Sequence, residues 1–306
     1  MKISTQLLIS LAALTVAACG GGGGSNSSPT SAGSGTAGDT PGSTKTTPGV
    51  WQGTMTSPTT GQSALVSLTN ATGQSIWMTT DGRVWSGQMP MSGTQFNATM
   101  AGYVYPGSRF PDGSAYGPSS MMFNYGDGAW TGQYAGGGDT GTFNVTMSSM
   151  WNRPATLATL AGTYTRTTSI GYTMTMSITT DGVITATDTR GCVINGAVTV
   201  PDASHNLYQL NATVTSCGVL DGTYQGHGTL VDATAMRSWT TAMGCFQYGA
   251  NGWSGGGMMG GGGMMGGGTG NWWPNTGTNT VPSGTSNLFM FAMTNGQYAI
   301  MDALAK

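Results

Sequence analysis

The sequence has no glutamate and almost no lysine. Its 20 charged side chains among 306 residues are 3 Lys, 6 Arg and 11 Asp, with two histidines beside them. Lys and Glu normally clothe the outside of helices, so their scarcity excludes a helical or α/β architecture as the expected class. A formal net charge of −2 leaves no basic footprint, which excludes nucleic acid as an expected partner. With no Glu, and five of the eleven Asp in Asp-Gly pairs, no acid and nucleophile pair of the glycosidase kind stands out. What fills the chain instead is Gly, Thr and Ser, 130 of 306 residues, with Val, Tyr and Trp between them. That is the material of short antiparallel strands, in one or two domains with real cores.

Residues 1–18 read as an export signal: Lys2, the apolar run Leu7-Leu8-Ile9-Ser10-Leu11-Ala12-Ala13-Leu14, then Val16-Ala17-Ala18-Cys19. The run is too short to span a membrane as a mature helix. Val-Ala-Ala-Cys resembles a bacterial lipobox, which implies cleavage before Cys19, a diacylglycerol on its thiol, and a membrane partner held through that lipid. In that pattern an Asp after the cysteine favours inner-membrane retention, and Gly20 points to the outer membrane. Residues 19–48 hold no aromatic or large aliphatic side chain and form the expected disordered, lipid-anchored Gly/Ser/Thr-rich tether. Its root-mean-square span is roughly 30 Å.

From Gly49 the chain becomes a series of strands and turns. Asp-Gly at 81–82, 112–113, 127–128, 181–182 and 221–222, and Asn-Gly at 195–196, 251–252 and 295–296, are expected to turn hairpins. Tyr172, Met174, Met176 and Ile178 alternate with Thr and Ser, as Tyr208, Leu210, Ala212 and Val214 alternate with polar residues, so each strand has one core face and one wet face. The final hairpin, 288–294 and 297–304, folds about Asn295-Gly296. Thr79-Thr80-Asp81-Gly82 recurs as Thr179-Thr180-Asp181-Gly182, and Gly49-Val50-Trp51-Gln52-Gly53 is echoed by Gly222-Thr223-Tyr224-Gln225-Gly226. About eight strands fit on either side of Trp151–Leu160. The expected fold is therefore all-β, with two consecutive antiparallel up-and-down barrel-like domains at 49–150 and 161–306. A short connecting helix at 151–160 would have Pro154 at its first position, with Leu157 and Leu160 plugging a barrel end or the lobe interface.

Among three further cysteines, Cys192 opens one strand and Cys217 closes the next, so hairpin geometry sets them nearly opposite as a disulfide. Cys245 is left over. Asp139-Thr140-Gly141 matches the aspartic-protease triplet, but Gly136-Gly137-Gly138 before it makes a hairpin turn the better account. His205 falls in a turn, and His227 falls with Thr223, Gln225 and Thr229 on the face opposite Tyr224 and Leu230. Two dispersed His and no carboxylate cluster leave no zinc site.

The run Arg153 to Tyr164, Asp181-Gly182, Gly191-Cys192, Cys217 and Gly222-Thr223-Tyr224-Gln225-Gly226 resembles uncharacterised proteobacterial lipoproteins with a lipobox and a C-terminal β domain. The resemblance covers roughly 150–306 and implies an envelope location and β architecture, with no catalytic residues. More distantly, two barrels behind a lipid and a glycine tether are similar to factor H-binding protein and to the barrels of transferrin-binding lipoproteins, whose surfaces carry dense Lys and Glu where this chain does not.

The loop 250–286 contains the one unusual chemical feature, Met258, Met259, Met264 and Met265 in two Gly-Gly-Gly-Met-Met-Gly repeats. Four thioethers suit a soft ion such as Cu(I) or Ag(I), although a low-complexity insertion between strands is the favoured account. Taken together, the residues predict an outer-membrane-anchored, non-enzymatic binding or structural protein without a cofactor, its partner an unidentified protein or small apolar ligand. The alternatives are a lipocalin-like carrier of a small apolar ligand and a periplasmic soft-metal binder. An integral outer-membrane barrel is disfavoured by the Thr- and Ser-rich outward faces.

Overall fold

A computed structural model describes residues 48–89, 94–104, 106–167, 171–232 and 287–306. Eight strands form the first barrel: β1 (Gly49–Ser57), β2 (Gly61–Thr69), β3 (Gln74–Thr79), β4 (Arg83–Gln88), β5 (Gln95–Val104), β6 (Tyr116–Gly126), β7 (Ala129–Gly136) and β8 (Asp139–Met147). Each pairs antiparallel with the next, and β1 pairs with β8 from Trp51↔Met147 to Thr56↔Thr142, which closes the ring. The second barrel is built the same way from β9 (Gly162–Thr167), β10 (Thr173–Ile178), β11 (Val183–Asp188), β12 (Val193–Thr199), β13 (Tyr208–Thr215), β14 (Gly222–Asp232), β15 (Asn287–Thr294) and β16 (Ala299–Ala305). Its closing ladder is short, with Ala305 paired to Thr165.

The turn chemistry explains the strand breaks. Asp127 and Gly128 have φ of 51° and 74°, and Gly137 and Gly138 have 63° and 73°, the paired positive values of a two-residue hairpin turn. The repeated Thr-Thr-Asp-Gly segments fold alike: Thr79 Oγ1 accepts from Arg83 N–H at 3.2 Å, as Thr179 Oγ1 does from Val183 N–H at 2.9 Å. They nevertheless join β3 to β4 and β10 to β11, which hold different places in their rings, so the repeat is one of turn type and not of barrel register. Asn251-Gly252 lies outside the described residues, Asp221-Gly222 leads from a 3₁₀ turn into β14, and one expected turn is absent altogether. Asn195-Gly196 lies inside β12, because Gly196 faces inward where an added Cβ would sit 2.2 Å from Asn211 O.

The alternation fills both interiors with side chains. In barrel 1, Trp51 stacks on Trp130 at 4.3 Å and Phe96 on Phe123 at 4.5 Å, while Trp77 meets Phe143 edge-on at 5.1 Å. In barrel 2, Tyr164, Tyr208, Tyr224, Phe289 and Phe291 are fully buried, with Met174, Met176 and Ile178 beside them. Between the barrels the chain makes a 3₁₀ turn at Ser149–Asn152 and one short helix, α1 (Leu157–Leu160). Pro154 does not begin that helix. Thr156 caps it instead, its Oγ1 accepting from Thr159 N–H at 3.0 Å, and Leu160 enters the barrel 2 core with Leu157 packed against it.

Not every outward face is wet. Val66, Leu68, Ile76, Met78 and Val84 on the outside of barrel 1 pack in one cluster with Val231, Leu288, Met290, Ala292 and Met301 on the outside of barrel 2. His227 and Thr229 lie on the face opposite Tyr224 and Leu230, as expected, and are buried in this seam at 5% and 0% exposure.

Candidate functional site

The charged residues buried at the rim of barrel 1 are absorbed by structure. At one rim of barrel 1 the Arg83 guanidinium donates to Asp139 Oδ2 at 2.9 Å and to Asp81 Oδ2 at 2.6 Å, and Tyr134 and Ser57 hydroxyls donate to Asp139 at 2.8 and 2.7 Å. Burial opposes charge on Asp81, yet the neighbouring guanidinium outweighs it and holds the carboxyl below its ordinary value. Asp139 is thus the buried first residue of β8, one position past the turn expected to contain it. Across the closing seam of barrel 2, Arg166 Nε lies 3.0 Å from Asp302 Oδ1. Burial pushes the Asp302 carboxyl up, against the opposing pull of Arg166.

The loop between β12 and β13 assembles an apparent catalytic trio. His205 Nδ1 is 2.9 Å from both Asp202 Oδ2 and Ser204 Oγ. A hydrolytic relay needs carboxylate and hydroxyl on opposite ring nitrogens, and here both sit on the same one. The Ser204 main-chain N–H also donates to Asp202 Oδ1 at 2.9 Å, so the group is a turn closed on itself. His205 further stacks on Trp151 at 4.0 Å, fixing the linker.

Cys192 and Cys217 are joined by a disulfide, Cα atoms 4.7 Å apart, Cys192 one residue and Cys217 two residues beyond the pair Val193↔Thr215. Cys19, Cys245, Met258, Met259, Met264 and Met265 lie outside the described residues. Among the described residues, no group of three or more His, Cys, Asp or Glu is placed to hold a metal ion, and no helix is long and apolar enough to cross a membrane.

The candidate site is a groove of about 590 Å³ where the two barrels meet, within the range of small-ligand pockets. Strands β3 and β4 supply Gln74, Ser75, Ser86 and Gln88 from one side, and β13 to β15 supply Gln209, Thr223, Gln225, His227 and Thr294 from the other, with Asn295 at the hairpin after β15. All lining residues are uncharged. The groove forms because outward positions of these strands are long polar side chains at the rim of the apolar seam, so the barrels touch below and part above. Gln74 accepts from Asn70 at 3.0 Å and Gln88 donates to the Thr72 carbonyl, which leaves the Gln74 amide N–H₂ and the Gln88 carbonyl for a ligand. The His227 ring is hydrogen-bonded by the Gln74 main chain, but its burial dominates and pulls its pKa down to about 4, so it is neutral at pH 7. Its Nδ1 is buried without a hydrogen-bond partner.

The sequence reading did not find this groove. Its residues come from five strands whose approach is visible only once the seam exists, and single outward glutamines carry no signal of their own. The buried ions did have one: Arg166 keeps phase with Tyr164, and Asp302 with Ile300 and Leu304, each a charge in a core position of an alternating strand. No family model matches the chain, and no curated protein or solved structure is detectably similar to it.

Proposed function

We propose that the protein is a lipid-anchored, non-enzymatic binding protein of the outer membrane, held by a lipid on Cys19, that uses its outer surface to meet its partner. One observation supports the binding mode above others: both barrel interiors are filled by their own side chains, so recognition falls to the outside. An eight-stranded barrel either packs itself solid or keeps room for one small ligand. The carrier alternative needs that room, and Trp51, Trp77 and Trp130 in one barrel and Tyr164, Tyr208 and Phe289 in the other occupy it. The non-enzymatic reading draws support from the acidic groups at the rim of barrel 1 and in the seam of barrel 2, each committed to a structural partner.

The anchor is tested by Cys19→Ala. The variant is expected to lose label from radioactive fatty acid and to leave the membrane fraction. Retention of both label and membrane partition by the variant would remove the lipoprotein reading.

A further inference from the structure

We propose that the inter-barrel groove binds a neutral, hydroxyl-rich chain, an oligosaccharide in chemical class. The inference rests on the binding reading above and adds the place and the ligand.

Charge excludes the first competitors. With only uncharged residues along the groove, a phosphate, sulfate or carboxylate would lose its hydration and find no cation, and a cationic ligand would find no carboxylate. An aliphatic ligand would strip water from amides and hydroxyls without replacing their hydrogen bonds. Peptides most readily join a β protein by adding a strand to a free edge, and the one weakly paired edge, between β9 and β16, belongs to neither wall of the groove. Sugar hydroxyls remain, because each donates and accepts at once, as do the facing amide heads.

The amides are arranged for that exchange. Gln74 presents donors and Gln88 an acceptor on one wall, for the reasons of bonding given above. On the other wall, among the described residues, no side-chain hydrogen bond holds the Gln209 or Gln225 head, so both can turn to meet a ligand. The floor carries the independent sign of a ligand: His227, 5% exposed, with Nδ1 lacking a partner. Trp51, Trp130, Arg166 and Tyr208 also hold unpaired buried polar atoms, but of these residues His227 alone lines the groove, and its neutral ring nitrogen is the acceptor a ligand hydroxyl would meet once the side chain turns outward.

The test titrates the full chain, labelled with ¹⁵N, with maltohexaose, chitohexaose and a polygalacturonate hexamer. The side-chain amide signals of Gln74, Gln88, Gln209 and Gln225 should shift and saturate with one of the neutral sugars, with Kd on the order of 10⁻⁴ to 10⁻³ M. The acidic hexamer should bind at least tenfold more weakly. Gln88→Leu with Gln225→Leu should reduce the affinity tenfold or more; both side chains are exposed, so the backbone spectrum of the double variant should stay that of the parent. A second variant, Gln209→Ala, gives an independent reading if the pair perturbs folding. Saturation by neither neutral sugar, equal affinity in the variants, or saturation instead by an extended tetra-alanine peptide would each overturn the proposal. The Cys19→Ala experiment is indifferent to all of these outcomes, so failure of the anchor and failure of the ligand class are separable.

Discussion

Removing the Arg83 guanidinium would leave Asp81 and Asp139 facing each other's charge at the barrel rim, with Asp139 3% exposed. Stranding one partner of a buried pair costs roughly 3–5 kcal/mol, far more than the pair contributes over an apolar replacement. Arg83→Met is therefore expected to lower the melting temperature by on the order of 10 °C, and adding Asp139→Asn should recover part of the loss, both read by thermal denaturation. His227 makes a prediction in pH. Its folded value of about 4 lies below the ordinary 6.5, so between those values the unfolded chain takes up a proton that the native ring refuses. Stability contributed by the neutral ring is complete above about pH 6.5 and falls with pH through the window, by up to about 3 kcal/mol at pH 4. His227→Gln should flatten that slope in parallel melts from pH 4 to 7.

At the scale of strands, two glycines explain why these ladders bend into rings. Gly53 in β1 and Gly226 in β14 each sit where a Cβ would lie 1.9 Å from a neighbouring main-chain oxygen, Asn144 O and Ala292 O respectively. That gives the echoed Gly-x-aromatic-Gln-Gly segments a physical meaning: the aromatic fills the interior and the last glycine admits the next strand. Gly53→Ala should loosen the β1–β8 closure and cost about 1–3 kcal/mol. Gly117→Ala, where nothing lies within 4 Å, is the matched control and should melt close to the parent. The ring of barrel 2 closes differently, its single bridged pair Ala305↔Thr165 supplemented inside by Arg166 and Asp302. Strand number, the alternation in β10 and β13, and most Asp-Gly turns were legible in the sequence because they depend on neighbours in the chain. Asn195-Gly196 misled because a glycine tolerating a turn and a glycine admitting a close strand look alike in a dipeptide.

For the molecule as a whole, closure and docking decided what could not be read locally. Val66, Leu68 and Ile76 signal a second apolar face only by breaking the polar phase of β2 and β3, and nothing in the chain says that β14 to β16 cover them. The disulfide was legible because it staples one hairpin, whereas the groove needed two barrels in register with each other. The burial of Arg83, Arg166, Asp139 and Asp302 has a further consequence outside the barrels. A chain with 20 charges that draws several of them inward leaves a hydrated shell made mainly of hydroxyls and amides. Mutual repulsion then contributes little to keeping copies apart, and counter-ions have little to screen. Encounters of such a surface with its surroundings should be nearly indifferent to ionic strength, the behaviour of an uncharged polymer coat more than of an ordinary polyelectrolyte protein.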